Sequence, residues 1–252
     1  MIPLVLVHGF MGGSRQWEGQ VAALSGAVDV VAVDLPGFGA NSDLRAPDNI
    51  EAFARWVVED LSARGVERFH LLGHSMGGMV AQEIAAMYSD RVERLVLYAT
   101  GATGVLPGRF ETIQASKSRA RAEGARTTAR RIAATWFLDR ELAAGFEDCA
   151  AIAERSSMQA IFAGLDAMQA WDGVDNLQTI SAKTLVVWGD QDRTYPWRQT
   201  ERLWTSIEQC SLAVIPQCAH AVHLENPYVF NALLRDFVSA EQREELRLPE
   251  VS

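Results

Sequence analysis

Phe69-His70-Leu71-Leu72-Gly73-His74-Ser75-Met76-Gly77-Gly78 decides how this chain folds. Its opening is a short, mostly apolar run, as expected of a strand covered on both faces. From Met76 onward the apolar positions change period: Met76, Met79, Val80, Ile84 and Met87 fall on one helical stripe. Between the two lies Gly-x-Ser-x-Gly. A strand that passes straight into a helix there holds the serine in a strained conformation that glycine neighbours accommodate. It also lifts the hydroxyl to a helix N-terminus, where developing negative charge is favoured. The bare pattern is weak, because chains rich in glycine and serine carry it by chance; the flanking strand and helix give it weight. A glycine-rich turn with a capping serine is the plainer alternative.

Working outward, further short β-branched runs occur at Leu4–His8, Val28–Val33, Leu95–Tyr98, Leu185–Trp188 and Leu212–Ile215. Helical patterns alternate with them, such as the stripe Ile50, Phe53, Val57 and Leu61. Strand and helix in alternation predict an α/β fold with a doubly wound, mostly parallel sheet of about six strands. Residues 101–181 break the rhythm, with helical periodicity and no convincing strand. They are predicted to form a helical cap inserted into a core made of residues 1–100 and 182–252.

A serine hydroxyl needs a base to take its proton, and the base needs a carboxylate to hold its tautomer. His74 adjoins Ser75 and points elsewhere, His70 lies inside a strand, and His8 shapes a loop beside Gly9. His220 and His223 remain, in the loop after the last strand, at the same carboxyl edge as Ser75. Gly189-Asp190-Gln191-Asp192 follows the fifth strand at that edge and offers Asp192 as the acid, with Asp190 or a solvated turn as the alternative. Asp34 precedes the serine and is expected to shape its own loop. Backbone N–H groups of Met76 and Phe10 are candidates for an oxyanion hole.

Composition narrows the rest. A chain of 252 residues with 48% hydrophobic content buries a full core. A net charge of −9 argues against nucleic acid as a partner. Cys149, Cys210 and Cys218 have neither disulfide nor zinc spacing, and no metal or organic cofactor is implied. The apolar start is too short for a signal core or a membrane span, so a cytoplasmic protein without a membrane partner is expected. One local bias stands out: Arg109, Lys117, Arg119, Arg121, Arg126, Arg130 and Arg131 share a span with only Glu111 and Glu123. Such a basic cap could bind a substrate carboxylate or simply face solvent. Trp136, Phe137, Met158, Phe162 and Trp171 are candidates for an acyl pocket or for the packing core of the cap, with Met11 beside the oxyanion loop.

Together, His8-Gly9-Phe10 with Trp17, Asp34-Leu35-Pro36-Gly37-Phe38-Gly39, Gly73–Gly78, Trp188–Asp192 and Ala219–Pro227 resemble the α/β-hydrolase family along the whole chain. The resemblance implies that His220, behind the small residue Ala219, is the base. It also implies the order serine, aspartate, histidine found here. Two features depart from the family pattern: the chain opens at the HG strand without the usual preceding antiparallel pair, and Ala219 stands where glycine is usual. Within the family, Gly73–Ala85 and Arg91–Gly104 are similar to 3-oxoadipate enol-lactonases and their carboxylesterase relatives. The segment Trp188–Pro196 is similar to hydrolases that cleave carbon–carbon bonds in aromatic ring-cleavage products, which carry asparagine at the His74 position. The HGFMGG start resembles a menaquinone-pathway synthase that eliminates pyruvate, which carries arginine at Met79. The resemblance therefore implies a serine hydrolase acting on a small ester, lactone or ring-cleavage acid. A ligand receptor on the same fold is the alternative of another class.

Overall fold

The structure is a computed structural model and describes residues 2–105 and 111–239. Six strands form one sheet: β1 (Leu4–Val7), β2 (Val30–Val33), β3 (Phe69–His74), β4 (Val92–Tyr98), β5 (Lys183–Gly189) and β6 (Cys210–Ile215). The order is β2-β1-β3-β4-β5-β6, and every pairing is parallel. β1 and β3 are fully buried, which explains why they read as continuous apolar runs. The second strand begins two residues later than its sequence suggests. Val28 is buried, but its N–H closes the preceding helix onto the Leu24 carbonyl.

Alternate side chains of each strand feed two separate cores. Val5, Val7, Leu71, Leu95 and Leu97 pack on one face with α2 (Ile50–Ala63) and α3 (Met76–Met87). Leu4, Leu6, Leu72, Val96 and Tyr98 pack on the other with α1 (Glu18–Leu24) and α10 (Pro227–Val238). The predicted stripe Ile50, Phe53, Val57 and Leu61 is the buried face of α2, which starts at Asn49 with its side chain accepting the Ala52 N–H at 2.8 Å. On α3 the stripe is buried except for Met87 in the last turn.

Between β4 and β5 lie α4 (Ile113–Glu123), α5 (Ala125–Ala134), α6 (Phe146–Ala153) and α7 (Met158–Ala170). The two ends of this excursion meet. Thr103 and Asp172 form an isolated antiparallel bridge, Gly104 N–H donates to Trp171 O, and Gly173 N–H to Ala102 O. The remaining helices are α8 (Trp197–Ser206) and the short α9 (Val222–Glu225). No helix among the described residues is long and apolar enough to cross a membrane.

The strand order reverses direction at β1. From there the chain moves outward to β2 and then back to the other side at β3, with Val7 beside Gly73. The crevice at the carboxyl ends of β1 and β3 is therefore where a ligand site is expected in an open α/β sheet.

Candidate active site

Ser75 leaves β3 and caps α3 with φ 56° and ψ −122°, a left-handed conformation costing about 1–3 kcal/mol for a residue with a side chain. The surroundings hold it there. Ser75 N–H donates to Tyr98 O at 3.0 Å, Gly78 N–H donates to Ser75 O at 2.8 Å, and the Thr100 hydroxyl donates to the same oxygen at 2.7 Å. The flanking glycines are required by close approach. A Cβ on Gly73 would lie 2.2 Å from Gly77 O, and one on Gly77 would lie 2.4 Å from His8 O. α3 can thus sit directly against β1 and β3, with Ser75 at the crevice.

His220 comes from the loop after β6, and Asp192 from the turn after β5. The His220 Nδ1 lies 2.9 Å from Asp192 Oδ2, and both side chains are buried. The other oxygen of Asp192 accepts the N–H groups of Thr194 and Tyr195 at 2.7 and 3.2 Å. A carboxylate fixed by two backbone donors presents an acceptor to Nδ1, which leaves Nε2 free to take a proton. Asp190 is placed differently: its Oδ1 accepts Gln217 N–H at 2.8 Å and shapes the loop.

Behind the His220 loop is a layer the sequence did not reveal. The Tyr98 hydroxyl donates to His220 O at 2.9 Å, and His74 Nε2, which must carry a proton to do so, donates to the same oxygen at 3.1 Å. With its proton so used, the Tyr98 oxygen accepts from His223 N–H at 3.2 Å and from His223 Nδ1 at 3.0 Å. Burial, reinforced by the neighbouring His220 and His223, holds the His74 imidazole well below the usual histidine range. Burial pushes His223 down to about 3. Both are neutral scaffolding. His8 is likewise lowered by burial; its Nε2 accepts Leu35 N–H at 2.9 Å, so Nδ1 carries the proton and donates to Gly9 O at 2.7 Å. Asp34 shapes the neighbouring loop through Ser14. Burial alone would raise its pKa, but two Ser14 hydrogen bonds, together with His8 and the Ala40 N–H, outweigh burial and leave it lowered.

Glu225 joins this layer to the helical segment above. Its two oxygens accept Ala219 N–H and Leu138 N–H, each at 2.6 Å, while Ala221 N–H donates to Trp136 O at 2.9 Å. Burial raises its pKa despite the two donors.

Ser75, His220, His74 and Phe10 line a cavity of about 40 Å³, room for about three water molecules. Gln16, Ser116, Ile132, Thr135, Trp136, Met168, Thr194 and Tyr195 complete most of its wall. In the buried residues Phe10 and Met76, flanking Ser75, neither backbone N–H has a protein acceptor among the described residues. Buried N–H groups are rarely left so.

Among the described residues, Trp136 alone of the other side chains proposed for the pocket lines this cavity. Met11 is turned into the core with φ 59°. Phe137 is fully buried in the same core, and Met158 packs against it. The Trp171 indole N–H donates to Glu83 of α3 at 2.7 Å and ties the end of α7 to the core. Helical periodicity marks these residues as buried without distinguishing a packing contact from a cavity wall. Arg109 lies outside the described residues.

The basic side chains from Lys117 to Arg131 meet carboxylates both within that span and further along the chain, except Arg121. Arg126 and Arg130 pair with Glu154, Arg130 also with Glu147, and Lys117 with Asp166; Arg119 and Arg131 share Glu111. Arg121 lies over the Phe162 ring, 4.9 Å from its centroid. The three cysteines are free, and burial pushes the Cys149 thiol up to about 12. Among the described residues no group of three or more histidines, cysteines and carboxylates is arranged to hold a metal ion.

With this geometry in hand, comparison with known proteins is informative. The chain is 31% identical over 245 residues to a pimeloyl-[acyl-carrier protein] methyl ester esterase of Aeromonas hydrophila, covering 93% of this chain and 94% of that one. It is 30% identical over 250 residues to a 2-hydroxy-6-oxo-6-phenylhexa-2,4-dienoate hydrolase of Comamonas testosteroni, covering 93% and 87%. The enol-lactonase of Burkholderia xenovorans LB400 shares the fold with a TM-score of 0.86 at 24% identity, over 95% of this chain and 92% of that one. The model of the alpha/beta hydrolase family matches residues 4–233. The chain belongs to the alpha/beta hydrolase family and is an enzyme of the hydrolase class.

Proposed function

We propose that this enzyme cleaves a carboxylic ester or enol-lactone of a small molecule through an acyl-enzyme, with Ser75 as nucleophile, His220 as base and Asp192 as its orienting acid. The observation that carries the reading is the strained Ser75 sharing one cavity with a buried His220 whose Nδ1 is held by Asp192. In the forward step the Ser75 oxygen attacks the acyl carbon and its proton passes to His220 Nε2. The carbonyl oxygen, now anionic, is received by the Phe10 and Met76 N–H groups, each such donor being worth about 3 kcal/mol. Collapse expels the alkoxide or enolate, which takes the proton from His220. Water then attacks the acyl-enzyme, gives its proton to the same nitrogen, and the second collapse returns that proton to Ser75 and frees the acid.

The cavity favours a small acyl group. Its described lining holds no lysine, arginine, aspartate or glutamate, and carries the amide- and hydroxyl-bearing residues Gln16, Ser116, Thr135, Thr194 and Tyr195. From Lys117 to Arg131 the described cations are occupied by carboxylates or, for Arg121, by an aromatic ring, and none of them lines the cavity, which supports an uncharged substrate over a ring-cleavage acid. Carbon–carbon hydrolysis is kept as the second reading because of the Comamonas relative. Rapid mixing with 4-nitrophenyl acetate tests the first. A burst of nitrophenolate equal to the enzyme concentration is expected, and Ser75→Ala should lower kcat on the order of 10⁶-fold. Equal rates in both proteins would refute the assignment.

A further inference from the structure

Gln16 is the one amide side chain in the described cavity wall, and it is 7% exposed. It occupies the third position of a short 3-10 turn, Ser14–Trp17, where its oxygen accepts the Gly13 N–H at 3.4 Å. That is half of a capping box, and it fixes which end of the amide is turned toward the turn. The oxygen is further confined by Gly12, where a Cβ would stand 2.4 Å away. The NH₂ end then has no acceptor among the described residues, in a side chain more than nine-tenths buried. The residue lines the cavity, so a donor there without a protein partner is open to an acceptor oxygen of a ligand, and a hydrogen bond made to it contributes about 0.5–1.5 kcal/mol.

We propose that Gln16 is a specificity-determining residue of this site, its amide N–H donating to an uncharged acceptor oxygen of the substrate beyond the reacting carbonyl. The inference rests on the ester or lactone reading above. It narrows the substrate class to molecules carrying an ether, hydroxyl, ketone or second ester oxygen within reach of the cavity wall on the β1 side. Hydrocarbon acyl or alkyl groups of equal size leave the donor unsatisfied and are selected against.

Isosteric ester pairs read this directly. 4-Nitrophenyl methoxyacetate is compared with 4-nitrophenyl butanoate for an acceptor on the acyl side, and 2-methoxyethyl acetate with butyl acetate for one on the leaving side. Each ratio of kcat/KM is divided by the corresponding ratio for alkaline hydrolysis. Gln16→Glu keeps the oxygen that caps Gly13 and replaces the donor with an acceptor; Gln16→Met removes both functions at similar length. The expected result, read above pH 7.5, is a wild-type preference for the ether-bearing member of at least one pair. That preference should fall about tenfold in both variants, with the hydrocarbon ester changed less than about threefold. A residue that only caps its turn predicts wild-type selectivity in Gln16→Glu, and that outcome overturns the proposal. If Gln16→Met does not fold, Gln16→Glu decides alone. Unchanged ratios with Ser75-dependent turnover sink this inference and leave the hydrolase reading standing; absence of turnover of all four esters by the wild type sinks both.

Discussion

Moving the protein from about pH 7.5 to about pH 5.5 charges histidines in the unfolded chain and leaves the buried ones neutral. His223 is pushed down to about 3 by burial and then by His220, and His70 to about 4 by burial and then by the charge of Arg94. For a base whose pKa is lower in the folded state, the unfolded chain binds more protons at intermediate pH. The stability contribution is therefore complete above about 6.5 and is lost as pH falls toward the folded value. The loss is about 1.4 kcal/mol per pH unit for each group, so about 3 kcal/mol for the pair by pH 5.5. His8 and His74 are lowered as well and add in the same direction. Glu225, raised by burial, works the other way, because protonation is easier in the folded protein. Asp34 and Glu111 are lowered carboxylates whose contribution is drawn on only at more acid pH. Against a total of about 5–15 kcal/mol, a loss of 3 is large. Urea unfolding followed by fluorescence at the two pH values should show the midpoint falling by about 1 M at constant slope. His70→Gln should shrink the difference by about 1.4 kcal/mol. Coincident midpoints at the two pH values would refute the argument that these imidazoles are held neutral.

Tyr98→Phe removes the donor to His220 O and leaves His223 Nδ1 and its backbone N–H facing a ring. About 2 kcal/mol of stability should be lost, and kcat should fall with KM little changed, as steady-state kinetics on a nitrophenyl ester would register. Gly77→Ala sets a methyl against the backbone of Val7 and His8. About 3 kcal/mol of destabilisation is expected, measured by thermal unfolding, together with loss of activity.

The readable parts of this chain were those in which one local pattern carries the whole constraint. β1 and β3 are buried on both faces, so their apolar runs announced them, and the glycines around Ser75 announced a close crossing of helix and strand. The rim of the sheet where Asp192 and His220 stand followed from which strands precede them. Asp190 and Asp192 are chemically alike and two residues apart, and only the turn that aims one at His220 and the other at Gln217 separates them. Tyr98 and Glu225 escaped notice because their partners are remote in sequence: Tyr98 reaches His220 and Glu225 reaches Leu138. The partners of Lys117, Arg126 and Arg130 were hidden for the same reason, since Glu147, Glu154 and Asp166 lie further along the chain than the basic span itself. Gln16 carried a signal that passed unread, a capping-box glutamine just before Trp17 in a loop already assigned to the site.

The bridge between Thr103 and Asp172 has a bearing on how this architecture varies. β4 and β5 are neighbours in the sheet, and the helices between them depart and return through one pinched point. For the sheet, everything above that point is a loop whose closure has already been made, and the entropic cost of closing a loop grows only as the logarithm of its length. The material above the pinch can therefore be lengthened, shortened or exchanged for another set of helices at little expense to the strands, which leaves the ceiling over Ser75 free to diversify while the floor stays fixed.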